Sequence, residues 1–278
     1  MTFFSAAIGI FYDIFFSRRT FLSKSSFSGP PVMKPPNASP DNSPATSDDI
    51  FSEDFKRAPK ISEDFVQKLQ KSFLELGIPP SPTSVESLID DLEFDQILPP
   101  LHRFLSSAQW TSINVAQLVA KWLSPYQNKK FLDAGSGVGK LCILLRYLTD
   151  LEIYGVEQRE SLVKISQEII QTNALHRITF EQRNIHEVKF ADYDIIYLYN
   201  PFQEHVCYSE TLIIDKTIEL DRKFFLEYTA KIFEELKNLK KGSVLITFHG
   251  YGGKVPKTWT LKYNQFVEGG FLSMWVKD

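Results

Sequence analysis

The chain is poor in the residues that would mark it as secreted, metal-held or membrane-spanning. Cysteine occurs only twice in 278 residues, at Cys142 and Cys207. That is too few for a disulfide framework and suits a reducing, cytoplasmic setting. The five histidines and two cysteines show no metal-ligand spacing, so no metal is expected. Neither sign of charge dominates: 31 Lys and Arg against 34 Asp and Glu give a net charge of -3. This supplies no chain-wide field for nucleic acid, although it leaves room for a local basic groove. The apolar, aromatic stretch from Thr2 to Phe16 falls short of the about 20 residues that a spanning helix needs, so no stable membrane insertion is expected. A secretory signal carries its positive charge ahead of the apolar core, whereas here Arg18-Arg19 follow it. The stretch reads as a loose surface anchor, a disordered leader or a mis-assigned start.

Hydrophobic residues at 43% and charged residues at 23% are ordinary for a globular protein with a sizeable core. From Ser23 to about Lys60 the composition shifts to Ser, Pro, Asn and Asp, so residues 1–60 read as a leader and a disordered linker. Residues 61–128 read as a helical lead-in. Phe65, Leu69, Phe73 and Leu76 recur at helical spacing, and Gly77 with Pro79-Pro80 stops that helix. Ser84 to Phe94 is a second short helix, with Val85, Leu88, Ile89 and Leu92 apolar. Leu101 to Leu123 is helical, restarting at Trp110-Thr111-Ser112 with Thr111 or Ser112 as cap.

Over residues 129–278 strands alternate with helices. Strands end at Asp133, Glu157, Phe180, Tyr199 and Phe248; helices cover Val138 to Leu148, Ser161 to Thr172 and Lys223 to Leu239. Alternation of this kind implies a parallel sheet covered on both faces. Two extended pieces around Gly269-Gly270 suit a closing antiparallel hairpin. The fold class is therefore α/β, a doubly wound, Rossmann-like sheet of about seven strands, mostly parallel, preceded by a small helical region.

The centre of the pattern is Asp133-Ala134-Gly135-Ser136-Gly137-Val138-Gly139-Lys140, a strand end, a glycine turn and a helix start. Such a turn lets backbone approach a nucleotide-like ligand. A dinucleotide loop, G-x-G-x-x-G, would need glycine where Lys140 stands. A phosphate-cradling P-loop would need glycine at Ala134 and a hydroxyl at Leu141. The remaining pattern, acidic-x-G-x-G-x-G, resembles motif I of the class I S-adenosylmethionine-dependent methyltransferases. The resemblance implies S-adenosylmethionine as cofactor, with Asp133 toward its amino group and Gly135, Ser136, Gly137 and Gly139 forming the loop beneath it.

Ligands of open parallel sheets bind beyond the carboxyl ends of the strands. Glu157 lies at such an end and can accept two hydrogen bonds from vicinal ribose hydroxyls; in a blander reading it is a solvated residue of Glu157-Gln158-Arg159-Glu160. After the third strand, the resemblance sets Asn184 beside the adenine amino group and Ile185 against the ring; Asn is equally a turn residue. Asn200-Pro201-Phe202 follows the fourth strand, where the methyl acceptor would meet the donor. Amino-group methyltransferases of nucleic acids and glutamine carry Asn/Asp-Pro-Pro-Tyr/Phe at this point, and this chain lacks the second proline. The triplet is also similar to the Asn-Asn-Phe of the disruptor-of-telomeric-silencing family of histone lysine methyltransferases. That family's Gly-Ser-Gly-Val-Gly and Gly-Val-Glu stretches recur as Gly135 to Gly139 and Gly155 to Glu157.

The sequence thus predicts a methyltransferase, acting on nitrogen rather than oxygen, with Asn200, Pro201 and Phe202 at the acceptor. A protein or small amine is favoured over nucleic acid as acceptor; a nucleic-acid base, or cofactor binding without transfer, is the alternative. His249, after the fifth strand, is a candidate base, and Gln203 to Leu220 an acceptor-side insertion or lid.

Overall fold

The computed structural model describes residues 57–76, 89–207 and 213–278. All belong to one compact unit, Phe51–Asp278. The leader, most of the linker, the Gly77–Pro80 helix stop, the first half of the Ser84–Phe94 helix and part of the Gln203–Leu220 insertion lie outside the described residues.

The lead-in contributes α1 (Glu63–Glu75), α2 (Asp91–Asp95), α3 (Pro100–Gln109) and α4 (Ile113–Trp122). The break between α3 and α4 falls at Trp110-Thr111-Ser112, and Ser112 is the cap, its hydroxyl accepting from the Val115 N–H. The strands and helices that follow are β1 (Lys130–Ala134), α5 (Lys140–Leu148), β2 (Glu152–Glu157), α6 (Glu160–Thr172) and β3 (Ile178–Gln182). The chain continues with β4 (Ile195–Tyr199), α7 (Arg222–Asn238), β5 (Val244–Phe248), β6 (Trp259–Val267) and β7 (Gly270–Lys277). Helix α5 begins two residues later than its apolar pattern, because Gly139 takes the left-handed conformation (φ 78°) as its N-cap. Strand β4 also starts late, at Ile195: a 3-10 turn at Phe190–Asp192 leads into it, and the Asp194 carboxylate accepts from the Lys130 N–H.

The sheet order is β3-β2-β1-β4-β5-β7-β6. The first five are parallel, and β7 runs antiparallel between β5 and β6. This is the expected seven-stranded, mostly parallel Rossmann-like sheet. Strand order reverses between β1 and β4, which sets a crevice beyond Ala134 and Tyr199. Alternate residues feed opposite faces. Phe131, Tyr197, Ile246 and Phe248 join α1, the lead-in helices, α5 and α6 in one core layer. Leu132, Ile196, Leu198 and Leu245 face α7, with Tyr228, Ile232 and Leu236, on the other. The lead-in therefore shares the sheet's own core.

Candidate active site

The glycine turn is stitched to the neighbouring strand: the N–H groups of Gly135 and Ser136 both donate to the Val156 carbonyl, at 2.8 and 3.0 Å. Gly137 has φ 54°, and a Cβ there would lie 2.3 Å from the indole of Trp110. Only a residue without a side chain lets that ring rest on the loop. On the loop's other flank, a Cβ at Gly135 would lie 3.1 Å from Cβ of Pro201. The folding of β4 beside β1 thus brings the glycine turn and the Asn200-Pro201-Phe202 corner into contact.

Two buried carboxylates stand at adjacent strand ends. Asp133 is 4% exposed and accepts from the Cys142 thiol at 3.5 Å. Burial pushes its carboxyl up to about 7, the thiol hydrogen bond opposing and the Glu157 charge adding to the rise. Glu157 accepts from the Gly137 N–H through Oε2 at 3.2 Å and from the Arg159 N–H through Oε1 at 3.0 Å. Burial raises its carboxyl too, against those N–H groups and the Arg159 charge. Asn184 caps a 3-10 turn, its side-chain oxygen accepting from the His186 N–H and its amide donating to the Tyr228 hydroxyl at 3.0 Å. Ile185, next to it, is buried.

At the end of β4, Asn200 is held at φ 36°, a left-handed conformation that costs a side-chain-bearing residue free energy and clusters at functional positions. Its N–H donates to the Gly250 carbonyl at 3.0 Å, and its amide to Gln203 Oε1 at 3.3 Å. Pro201 is half-buried against the glycine turn. Phe202 is buried, with its ring 5.1 Å from that of Tyr228, so it packs into the layer beneath the corner and does not stand open to solvent. His249 lies in an aromatic group with Tyr199 (5.7 Å) and Phe248 (4.3 Å). Burial lowers its imidazole to about 4, so it is neutral in ordinary buffers.

Four further residues shape the crevice. Lys140, 2% exposed, sends its ammonium to Asp95 (2.7 Å), Asp91 (2.7 Å) and the Ser106 hydroxyl (3.0 Å), fastening the lead-in to the first turn of α5. Arg159 is buried and pairs with Glu204 (2.6 Å) and Asp215 (3.0 Å) of the segment after β4. Trp110 donates its indole N–H to the His102 carbonyl at 3.1 Å. Tyr228 touches Asn184, Phe202 and His205 at once. The sequence carried a faint sign of three of these. Lys140 entered only as the residue that spoiled a dinucleotide loop, Arg159 only as part of a charged helix start, and Trp110 only as a helix restart. Nothing in the pattern marked Tyr228, because its role comes from the packing of α7.

Trp110, Thr111, Asp133, Gly135, Ser136, Tyr197 and Tyr199 line a narrow cleft. A larger hollow opens on the surface near the end of α5, lined by Gln70, Gln127 and Arg146 among others, away from the strand ends that carry the motifs. The cleft suits a ligand with an amine and vicinal hydroxyls. Three glycines alternate along the turn, the Asp133 carboxylate lines the cleft while Glu157 stands at the next strand end, and the buried Ser136 hydroxyl has no hydrogen-bond partner among the described residues. Among the described residues no group of His, Cys, Asp and Glu could hold a metal ion, and no helix is long and apolar enough to cross a membrane.

A family model described as a methyltransferase domain matches residues 126–264, half of the chain. The chain belongs to this methyltransferase family. The methyltransferase takes S-adenosylmethionine as its cofactor. No curated protein matches the chain. Among solved structures, it is similar to an RNA methyltransferase from Salinibacter ruber in complex with S-adenosyl-L-homocysteine, at 16% identity over 60% of this chain and 92% of that one, with a TM-score of 0.43. TrmN from Thermus thermophilus is 17% identical over 64% of this methyltransferase and 53% of its own chain (TM-score 0.45). The magnesium protoporphyrin IX methyltransferase ChlM from Synechocystis PCC 6803, with bound SAM, is 15% identical over 79% and 100% (TM-score 0.42).

Proposed function

We propose that this methyltransferase acts on nitrogen, on an amine of a protein or a small molecule. The observation that carries the reading is the contact between the glycine turn and the Asn200 corner, Gly135 against Pro201 at 3.1 Å from an added Cβ. It sets an amide-bearing residue in a strained conformation beside the loop on which the methyl donor rests. An amine with two N–H groups can donate to the Asn200 side-chain oxygen and to a nearby backbone carbonyl, which turns its lone pair toward the methyl group. An attacking hydroxyl has one proton to offer and is fixed less fully.

In this reading Asp133 holds the ammonium of the cofactor, Glu157 its ribose hydroxyls, and Gly135, Ser136, Gly137 and Gly139 its backbone contacts. Asn184 and Ile185 border the adenine; the Asn184 oxygen, already capping a turn, keeps a second lone pair for an amine. Pro201 shapes the corner, and Phe202 supports it from below through Tyr228. The bound sulfonium supplies an electrophilic methyl group, so the residues of this chain need only position the acceptor and exclude water. His249, neutral and stacked on Tyr199, borders the acceptor as an apolar wall with a hydrogen-bonding edge.

The finer likeness to the disruptor-of-telomeric-silencing family rests on the motif residues alone; the family match is to a methyltransferase domain in general. A reducing, cytoplasmic setting agrees with a chain that has only two cysteines, Cys142 and Cys207. The test is transfer of labelled methyl from S-adenosylmethionine to cell extract separated into protein, RNA and small-molecule fractions. Acid- and base-stable label in the protein or small-molecule fraction supports the reading. Label confined to RNA, or lost as an ester on mild base, replaces it.

A further inference from the structure

We propose that Trp110 and Tyr199 form an aromatic wall that recognises the positive charge of the cofactor's sulfonium, and thereby favours the methyl donor over its neutral thioether product. The inference rests on the cofactor assignment above and concerns residues to which no role has been given.

The cleft beside the glycine turn is lined by three aromatic residues, Trp110, Tyr197 and Tyr199, and by one carboxylate, that of Asp133. Lys140 also borders it, but its ammonium is drawn off to Asp91, Asp95 and Ser106. Asp133 is therefore the acid that faces a ligand, and the three aromatic rings share the rest of the lining with Gln109, Thr111, Ser136 and Leu141. The indole of Trp110 packs directly on the turn at Gly137 and also lines the cleft beside Gly135 and Ser136. The ring is fixed by its N–H bond to the His102 carbonyl and by stacking on the His102 imidazole, 6.5 Å between centroids with planes 16° apart. Tyr199 is fixed by Phe248, at 4.8 Å, and His249. The Tyr197 hydroxyl is taken up by Thr111 at 3.0 Å, which joins the lead-in turn to the sheet.

S-adenosylmethionine brings two positive centres to this region, an ammonium and a sulfonium. Asp133 can neutralise one. The second has no acid of its own in the lining, and desolvated aromatic faces attract such cations. S-adenosylhomocysteine carries the same ammonium, ribose and adenine with a neutral sulfur. The ratio of the two affinities therefore isolates the sulfonium.

The test is calorimetric titration of the full chain with S-adenosylmethionine and with S-adenosylhomocysteine, for the native protein, Trp110→Leu, Tyr199→Leu and Trp110→Phe. The expected result is that each Leu variant loses about tenfold in affinity for the charged ligand while its affinity for the neutral one stays within about twofold. Trp110→Phe retains most of the native ratio. Equal losses for both ligands, or none, overturn the proposal and leave the rings as packing. If Trp110→Leu does not fold, Tyr199→Leu is judged on the same criterion. Absence of binding by the native chain would instead overturn the cofactor assignment.

Discussion

The ammonium of Lys140 lies 2.7 Å from the Asp95 carboxylate, and both side chains are almost wholly buried, at 2% and 3% exposure. A pair this deep is costly to form, and costlier to break on one side. Lys140→Met leaves Asp95 without its partner, in a place where burial already raises its carboxyl. The expected loss is about 3–5 kcal/mol of stability, read from urea unfolding, and Lys140→Met with Asp95→Leu should recover most of it. If the double variant is no more stable than the single, the pair is not the reason for the loss.

Two glycines with positive φ should respond differently to alanine. Gly242 has φ 84° with nothing within 4 Å of an added Cβ, so Gly242→Ala should cost about 1–2 kcal/mol and leave cofactor affinity unchanged. Gly137→Ala sets its methyl 2.3 Å from the Trp110 ring and should weaken S-adenosylmethionine by about tenfold or more, since several kcal/mol of overlap must be relieved at the loop itself. Gly137→Arg should abolish binding. Calorimetry on the three variants decides the matter.

Asp133 should make cofactor binding pH-dependent. Its carboxyl is raised from 3.8 to about 7 in the folded protein, so between those values the native state holds a proton that the unfolded chain releases. The stabilising contribution of neutral Asp133 is complete below 3.8 and is lost as pH rises through about 7. A cofactor ammonium favours the charged carboxylate, so binding at about pH 6 should release a proton. Titrations in two buffers of different ionisation enthalpy would show it, and Asp133→Asn should remove both the release and the stability slope.

Asn200 separates strain from function. Asn200→Gly relieves the φ of 36° and should leave stability unchanged or raised by about 1 kcal/mol, while methyl transfer falls at least about tenfold. Stability by thermal unfolding and label transfer to the accepting fraction are the two readings. Full activity in the glycine variant would remove Asn200 from the acceptor site.

Elements with their own periodicity were plain in the chain. The apolar runs ending at Asp133 and Glu157 gave β1 and β2 nearly to the residue, and Gly269-Gly270 marked the β6–β7 hairpin. The strand order then brought Asp133, Glu157 and the Asn200 corner to one edge without further information. What remained hidden depends on contacts between distant segments. Phe202 reads as an aromatic at the acceptor, yet it is buried, with its ring 5.1 Å from that of Tyr228 on α7. Arg159 reads as one charge in an exposed helix start, yet it is buried, and its partners Glu204 and Asp215 lie 45 and 56 positions further along the chain. Asn184 showed both of its readings in sequence, and the local one, capping, is decided by Glu187 three residues later.

Arg159 touches two halves of the crevice at once. Its backbone N–H fixes the Glu157 carboxylate, and its guanidinium grips the segment that follows the acceptor corner. With the cofactor on Glu157 and the acceptor at the Asn200 corner, as proposed, both ligands would bear on this one residue, and any coupling between them is reciprocal: whatever factor the acceptor imposes on the cofactor, the cofactor returns to the acceptor.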